Sequence, residues 1–519
     1  RWVPWQAPDV ADAMQPRRAE YQRPGVAPLT ATWLLGGLCL LPDGEGHRPE
    51  RADLQVCDGK IAAILDPESE RLCEPLDTRV DARGFLVVPG FVNAHTHSPD
   101  NLIKGSTPNL PLELWSLHSA SGREGRTPRE IYVSALLGCI EAMRTGTTTV
   151  LDHIRFSPAP DPEGLDAVAR AYRDCGLRAV VAPVVADRAV IDTMPLDPED
   201  LPAAVQSPRI MPPEEQLSLV EAFIDRWHDP RGRLHGAIGP SGPQRCSDHL
   251  LELSGDLSRR RGVIWHSHVL ETKAQKAMGL RLYGESMVRH LDRLGLLTPR
   301  TNLVHLIWAE PGDLDVVARS GAGVIHNPVS NAKLGSGVCA LPDLLRRGIP
   351  VGLGTDSACC NDSNNLLETA KWAALLHNLG RTDPDSWVGP ERALALATTG
   401  GARALGLGDE TGRIAVGSAA DLTLFRLAAP GLAPLNNPVR QLIQSESVAA
   451  IDKVMVAGRF IMDGGRCLLV NQDDVWGEAQ ELAERRLRDN ADVYRSAAAL
   501  AEPIKRMYRR INQPDERVK

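Results

Sequence analysis

Two histidines at the end of one apolar run could bind a metal ion together. Residues 87–97 read VVPGFVNAHTH, so His95 and His97 stand two positions apart where the run ends. Residues i and i+2 of an extended chain point to the same face, which lets both imidazoles reach one ion. Taken alone, such a pair is more often a pair of hydrogen-bonded core or surface histidines. The prediction of a metal site therefore depends on the rest of the chain.

Other strand-like runs end in side chains of the same chemical kind. His268 closes one run and is followed three residues later by Glu271, His305 closes a second run, and Asp356 closes a third. Parallel barrels place their active sites at the carboxyl ends of their strands, so we expect these side chains to meet. Three imidazoles and one carboxylate suit Zn²⁺ and related divalent ions, and they leave a coordination position open for water.

The elements that must position these residues are predicted to be alternating strands and helices. From about residue 89 to 415 the alternation predicts an α/β fold with a parallel sheet, and a barrel is its economical closure. Short β-rich segments before and after it predict one small sheet domain from residues 27–88 and 416–472. Residues 1–26 read as an N-terminal tail, and residues 473–519 as a C-terminal helical tail.

Composition narrows the class of protein. The chain has 519 residues, of which 43% are apolar and 24% charged, as in ordinary globular proteins. Its 58 basic and 66 acidic residues give a net charge of −8, which disfavours nucleic acid and anionic membrane surfaces as partners. The ten cysteines form no CxxC pair, and no segment is apolar enough for a bilayer span or a signal peptide. These features predict a cytoplasmic protein.

The ordered set of motifs resembles the amidohydrolase superfamily. More narrowly, it resembles the branch with the methylthioadenosine/S-adenosylhomocysteine deaminases and the triazine hydrolases (chlorohydrolases). The features that carry the resemblance are the PGFVNAHTH run, His268 with Glu271, His305, the run HNPVSNAKLGSG at 326–337, and Gly354-Thr355-Asp356. The match extends over about residues 30–470. It implies a distorted (β/α)8 TIM barrel with a small β-sandwich built from both flanks of the chain.

The resemblance also implies a role for each matching residue. The implied metal ligands are His95, His97, His268 and Asp356. Glu271 matches the family's proton-shuttling acid, and His305 the imidazole that contacts substrate or the attacking water. Family members with two metals bridge them by a lysine on the fourth strand, and no lysine lies between Lys104 and Lys273. We therefore expect one divalent ion per subunit, with Zn²⁺ preferred and Fe²⁺ as the alternative.

The expected reaction is hydrolytic deamination of an aminated nitrogen heterocycle or cyclic amidine, with release of ammonia. In it, Asp356 accepts a proton from the water, Glu271 protonates a ring nitrogen, and His305 holds the substrate. The expected substrate contacts are His305, Asn331 and Cys360.

Several readings stay open at this stage. Hydrolytic dechlorination or C–S cleavage at a triazine-like ring carbon is the first alternative, because Ser357 stands where an aminohydrolase of that branch has an acid. A non-catalytic binding relative is the second. His266 is read as core filling, His153 is read equally as a cavity residue or a structural one, and a homo-oligomer is neither predicted nor excluded. The loop at 187–213 is expected to set specificity.

Overall fold

The computed structural model describes residues 30–44, 46–123, 125–156, 160–197, 210–492, 495 and 500–512. The predicted tail at residues 1–26 and part of the predicted specificity loop, residues 198–209, lie outside the described residues. Among the described helices, none is both long enough and apolar enough to cross a bilayer.

The strands of the described residues fall into a flanking set and a central set. The flanking strands are β1 (Thr32–Asp43), β2 (Gly46–Cys57), β3 (Lys60–Leu65), β4 (Thr78–Asp81) and β5 (Phe85–Pro89), and, near the other end of the chain, β17 (Leu422–Arg426), β18 (Ile451–Val456), β19 (Arg459–Asp463) and β20 (Arg466–Cys467). The central strands are β6 (Phe91–His97), β7 (Thr147–Asp152), β8 (Arg178–Val181), β9 (Val184–Val185), β10 (Leu234–Gly236), β11 (Gly239–Pro240), β12 (Trp265–Val269), β13 (Thr301–His305), β14 (Gly323–His326), β15 (Val351–Leu353) and β16 (Asp356–Ser357).

The α-helices lie mostly between the central strands. They are α1 (Leu112–Arg123), α2 (Pro128–Arg144), α3 (Pro162–Cys175), α4 (Pro213–Trp227), α5 (Asp248–Arg261), α6 (Lys273–Tyr283), α7 (Met287–Arg293), α8 (Pro311–Ser320), α9 (Pro328–Lys333), α10 (Leu341–Arg346), α11 (Leu366–Leu376), α12 (Gly389–Ala395), α13 (Gly401–Ala404), α14 (Pro438–Gln444), α15 (Gln472–Asp489) and α16 (Ala501–Ile511).

One nine-stranded sheet contains strands from both flanks of the chain. The two flanks meet where β5 pairs antiparallel with β17, with Val87 opposite Leu424. Apolar side chains such as Leu54, Ile61 and Met455 are buried in this part of the molecule. The prediction that two distant β-rich segments share one sheet is confirmed.

The central strands pair in parallel and bring their carboxyl ends together. Strands β6, β7, β8 and β10 are neighbours, as are β12, β13, β14 and β15. A bridge between Ile238 and Trp265 links the two groups, and Asp356 of β16 pairs with Thr96 of β6. The side chains of β7, β8 and β13 are buried throughout, as expected for parallel strands covered by helices on the outside. The structure therefore has the predicted α/β organisation.

A proline interrupts one apolar run of the central strands. Residues 179–185 fall in two strands, β8 and β9, with a break between them at Ala182 and Pro183. Proline has no N–H to donate to a neighbouring strand, which accounts for the break at that point.

A buried ion pair joins the central strands to the flanking sheet. Arg178 of β8 donates from Nε to Asp421 Oδ2 at 3.0 Å, and the two side chains are 2% and 0% exposed. Asp421 also accepts hydrogen bonds from the backbone N of Ala457 at 2.7 Å and from Thr411 Oγ1 at 2.8 Å. The partners of this carboxylate come from three other segments of the chain. Loss of the Asp421 side chain would therefore remove contacts between the central strands and the flanking sheet and within the flanking segments.

We expect Asp421→Ala to lower the free energy of unfolding by about 3–5 kcal/mol, because it leaves the Arg178 guanidinium buried with a partner missing. Chemical unfolding followed by circular dichroism measures this change. Asp409→Ala is the matched control, since its carboxylate pairs with Arg413 on the surface and is fully exposed. If both variants unfolded at the wild-type midpoint, the buried pair would not have the role described.

Candidate metal centre

Four of the predicted residues meet at the carboxyl ends of the central strands. His95 and His97 end β6, His268 lies near the end of β12, and Asp356 begins β16. Asp356 Oδ1 lies 3.3 Å from His97 Nε2 and 3.5 Å from His95 Nε2. The ring centroid of His268 is 5.1 Å from that of His95. The structure therefore brings the four side chains into one cluster.

The donor atoms of this cluster fit a divalent metal ion. Nitrogens of His95, His97, His153 and His268 lie within 4.8 Å of one another, and so do ligand atoms of His95, His305 and Asp356. His95 is fully buried, and its Nε2 has no hydrogen-bond partner. A buried polar atom without a partner is costly, and a bound cation would supply the missing interaction. Imidazole nitrogens beside a carboxylate form the donor set that Zn²⁺ and similar ions prefer.

Hydrogen bonds to the outer ring nitrogens aim the histidines at the cluster. His97 Nδ1 lies 2.5 Å from the carbonyl of His153, and His268 Nδ1 lies 2.6 Å from the carbonyl of Ser241. A carbonyl only accepts, so both Nδ1 atoms carry the proton and both Nε2 atoms present a lone pair. His95 Nδ1 lies 2.8 Å from Nε2 of His266, and this contact turns the Nε2 of His95 toward the cluster as well.

His266 and His153 also contact the cluster, although the sequence did not predict these contacts. His266 contacts a ligand candidate directly, so it is more than the core filling expected of it. The ring of His153 lies 4.8 Å from the ring of His268, and its Nδ1 is buried without a partner. Its Nε2 lies 3.2 Å from the carbonyl of Gly239. Their positions depend on strand pairing, which one sequence does not reveal.

The surroundings of Asp356 favour its ionised form. Ser330 Oγ donates to its Oδ2 at 2.6 Å, and the backbone N of Ser357 lies 2.8 Å from its Oδ1. Burial by itself raises the pKa of Asp356, but the imidazoles of His95 and His97 close to its carboxylate hold that pKa well below its usual value. The sequence reasoning missed Ser330, although it lies within the 326–337 run.

Glu271 and His305 lie beside this carboxylate. His305 Nε2 is 3.6 Å from Glu271 Oε2 and 3.9 Å from Asp356 Oδ2. Burial raises the pKa of Glu271 well above its usual value, and the negative charge of Asp356 raises it further. Burial lowers the pKa of His305, which favours a neutral imidazole. The site thus holds one carboxyl group that favours its proton and one that favours losing it.

Backbone strain is concentrated at the same place. His305 has φ 72° and Asp356 has φ 63°, although neither is a glycine. Such conformations are uncommon for residues with a Cβ, and the surrounding structure must enforce them.

The predicted substrate contacts have different surroundings. Cys360 lines the cavity above the cluster, which has a volume of about 140 Å³. Its Sγ lies 3.3 Å from the carbonyl of Ser357, and burial raises its pKa well above the usual value, which favours the protonated thiol. Asn331 is buried behind His305, where its Oδ1 lies 2.8 Å from His305 Nδ1. It therefore contacts the imidazole.

The sequence reasoning missed two polar residues in the cavity wall. Gln244 is buried, and its Oε1 has no hydrogen-bond partner. Arg245 donates from Nε to the carbonyl of Arg188 at 3.0 Å, and burial lowers the pKa of its guanidinium to about 10. Both follow β11 at its carboxyl end, which is the signal that could have found them. Leu112, Glu113, Trp115 and Ser116 of α1 and Met194 also line the cavity.

Comparison with known proteins gives a consistent result. The model of the amidohydrolase family matches residues 86–461. A 5-methylthioadenosine/S-adenosylhomocysteine deaminase of Syntrophobacter fumaroxidans is 33% identical over 453 residues, which cover 87% of this chain and 97% of the relative.

Two solved structures share the fold. The zinc-bound structure of an adenosine deaminase from Xanthomonas campestris has a TM-score of 0.78 at 27% identity, and covers 88% of this chain and 98% of its own. A triazine hydrolase of Arthrobacter aurescens has the same TM-score at 24% identity, with coverage of 88% and 99%. Together with the family match, these relatives show that the chain belongs to the amidohydrolase family.

Proposed function

We propose that this chain is a metal-dependent aminohydrolase that removes an amino group from a nitrogen heterocycle and releases ammonia. The observation that carries the proposal is the arrangement of Glu271 and His305 beside the cluster of three histidines and Asp356, at one end of one cavity. The deaminase names of the relatives support the C–N bond as the one cleaved.

In this proposal, one divalent ion is held by His95, His97, His268 and Asp356. Zinc is the preferred ion, because the related adenosine deaminase is described with bound zinc, and Fe²⁺ is the alternative. Such an ion supplies acidity, since it lowers the pKa of water from about 15.7 to about 7. His266, His153 and Ser241 would orient the three imidazoles, through the hydrogen bonds that they or their carbonyls make.

The two carboxyl groups divide the proton transfers between them. Asp356, whose pKa is lowered, accepts the proton that water loses. Glu271, whose pKa is raised, delivers a proton to the ring nitrogen beside the carbon under attack. It later helps the proton taken from water to reach the amine, which leaves as ammonia. Neighbouring groups whose pKa values are pushed apart are the usual sign of an acid and base pair. His305, held by Asn331, orients the substrate edge, and Cys360 contacts the substrate as a thiol.

We also propose a finer architecture. The parallel pairings and the Ile238–Trp265 bridge lead from β6 to β15; β16, which follows β15 along the chain, pairs with β6, and this supports a distorted (β/α)8 barrel over residues 89–415. The nine-stranded sheet supports a β-sandwich assigned to residues 27–88 and 416–472. Residues 473–519 would be the C-terminal helical tail, of which the described helices α15 and α16 pack on α2 and on α1 and α6.

The substrate class that we propose is an adenosine-type or similar aminated heterocycle. The relative named 5-methylthioadenosine/S-adenosylhomocysteine deaminase is 33% identical, whereas the triazine hydrolase is 24% identical. Ser357 was the residue that favoured a leaving group other than an amine. Its hydroxyl donates a hydrogen bond to the carboxylate of Asp100.

Glu271→Gln is expected to lower kcat by about 10²- to 10⁴-fold, because the amide retains the shape of the side chain but has no acidic proton to transfer. Ammonia release from an adenosine-type substrate measures the effect, and metal content is measured on the same samples. Glu368→Gln, on the exposed side of α11, is the matched control. Full turnover by a metal-loaded Glu271→Gln protein would contradict the proposed acid.

The leaving group is tested on the wild-type protein with matched amino-, chloro- and methylthio-substituted rings. We expect ammonia from the amino compounds to form much faster than chloride or thiol from the others. Faster release of chloride or thiol would replace deamination with the alternative reaction.

His266→Gln is expected to weaken metal affinity by about 10- to 100-fold, because His95 loses the imidazole that orients it. Competition with a chelator of known affinity measures the change. His249→Gln is the control, since this exposed histidine pairs with Glu214 on the surface. Equal affinities in the two variants would remove His266 from the metal site.

A further inference from the structure

Helix α16 packs against the wall of the cavity. It begins after residue 500, and the family match ends at residue 461. Its Ile504 and Met507 are buried in an apolar cluster with Leu114 of α1, Met194 and Ala274 of α6. The cavity is lined by Met194 and by Leu112, Glu113, Trp115 and Ser116 of α1, so α16 packs on elements that form its wall.

A polar contact in this apolar interface reaches the cavity itself. Tyr508 of α16 donates its hydroxyl hydrogen bond to Oε2 of Glu113. Glu113 lines the cavity although it is only 6% exposed, and its other oxygen accepts a hydrogen bond from Thr272 Oγ1 at 2.7 Å. Each carboxylate oxygen therefore has one hydroxyl donor, and each donor comes from a different element.

The hydrogen bonds continue from Glu113 to Glu271. The Thr272 hydroxyl accepts from the backbone N of Gln275 at 3.2 Å, which caps the start of α6. Gln275 Oε1 accepts from the backbone N of Glu271 at 2.8 Å. Glu113, Thr272, Gln275 and Glu271 are all buried, so water does not readily replace a missing partner. A continuous network thus joins the C-terminal helix to the proposed acid.

A strained backbone and a buried carboxylate make this hydrogen-bond network sensitive to the loss of one donor. The residue before Glu271, Leu270, has φ 52°, a conformation that its surroundings must maintain. Removing the hydroxyl of Tyr508 leaves one oxygen of a buried carboxylate without its donor, and the carboxylate would then shift toward other donors. Any such shift is passed to Thr272 and the first turn of α6.

We propose that Tyr508 and Glu113 are positioning residues for Glu271, so that the C-terminal helix forms part of the active site. This inference rests on the proposed function, because it assumes that Glu271 carries the proton. Neither residue exchanges a proton with the substrate in this scheme. They keep the Glu271 carboxyl group at the distance and angle that proton transfer requires.

The test compares Tyr508→Phe with the wild-type holoenzyme. The substitution removes one hydroxyl and keeps the ring in its apolar surroundings. We expect kcat to fall by about 10- to 100-fold with little change in KM or in metal content, because misplacement of a catalytic group affects the chemical step. Lys505→Ala is the control on the same helix, where the lysine is exposed and pairs with Glu502.

A double-mutant cycle separates positioning from simple loss of stability. If Tyr508 acts through Glu271, Tyr508→Phe changes the residual turnover of Glu271→Gln by less than about two-fold. A structural effect would instead lower turnover by the same factor in both backgrounds, and that result would overturn the inference.

The cycle also distinguishes this inference from the function on which it rests. A strongly impaired Glu271→Gln together with a fully active Tyr508→Phe would overturn the positioning role and leave the proposed function intact. Full activity of Glu271→Gln would overturn the proposed function itself.

Discussion

The burial of several imidazoles and a carboxylate at one point is the constraint on which the rest of the structure depends. His95 is fully buried, its Nε2 lacks a hydrogen-bond partner, and the Nε2 of His97 has its lone pair directed toward the same point. Lone pairs that converge in a region of low polarity are unfavourable unless a cation lies between them. Strand pairing holds them there, and the strained backbone of His305 and Asp356 lies at the same strand ends.

The chemistry then follows from two unequal environments a few ångströms apart. Asp356 is surrounded by hydrogen-bond donors and histidines, which favour its charge. Glu271 is buried beside another carboxylate, and both features favour its protonated form. The hydrogen bond that it accepts from Ser336 at 3.4 Å opposes this effect only weakly. His305 lies between the two. In the proposed reaction, these residues would act as the base, the acid and the neutral imidazole that hydrolysis of an amidine-like carbon requires.

The sequence was sufficient for the elements and for the residues at strand ends. His95, His97, His268, His305 and Asp356 could be singled out because each closes an apolar run, and parallel strands bring such ends together. Residues that act on those side chains from elsewhere could not be found in this way. Tertiary packing brings His266, Ser330 and Tyr508 to the site. Asn331 was expected to contact the substrate, whereas its side chain contacts the imidazole of His305. The break at Pro183 is local, and proline chemistry explains it.

The most direct test of the central claim is a titration of metal-free protein with Zn²⁺ or Fe²⁺, followed by the rate of ammonia release from an adenosine-type substrate. The account predicts that activity is absent without metal, rises in proportion to added ion, and saturates at one ion per chain. Metal-free protein that releases ammonia at the full rate would contradict it.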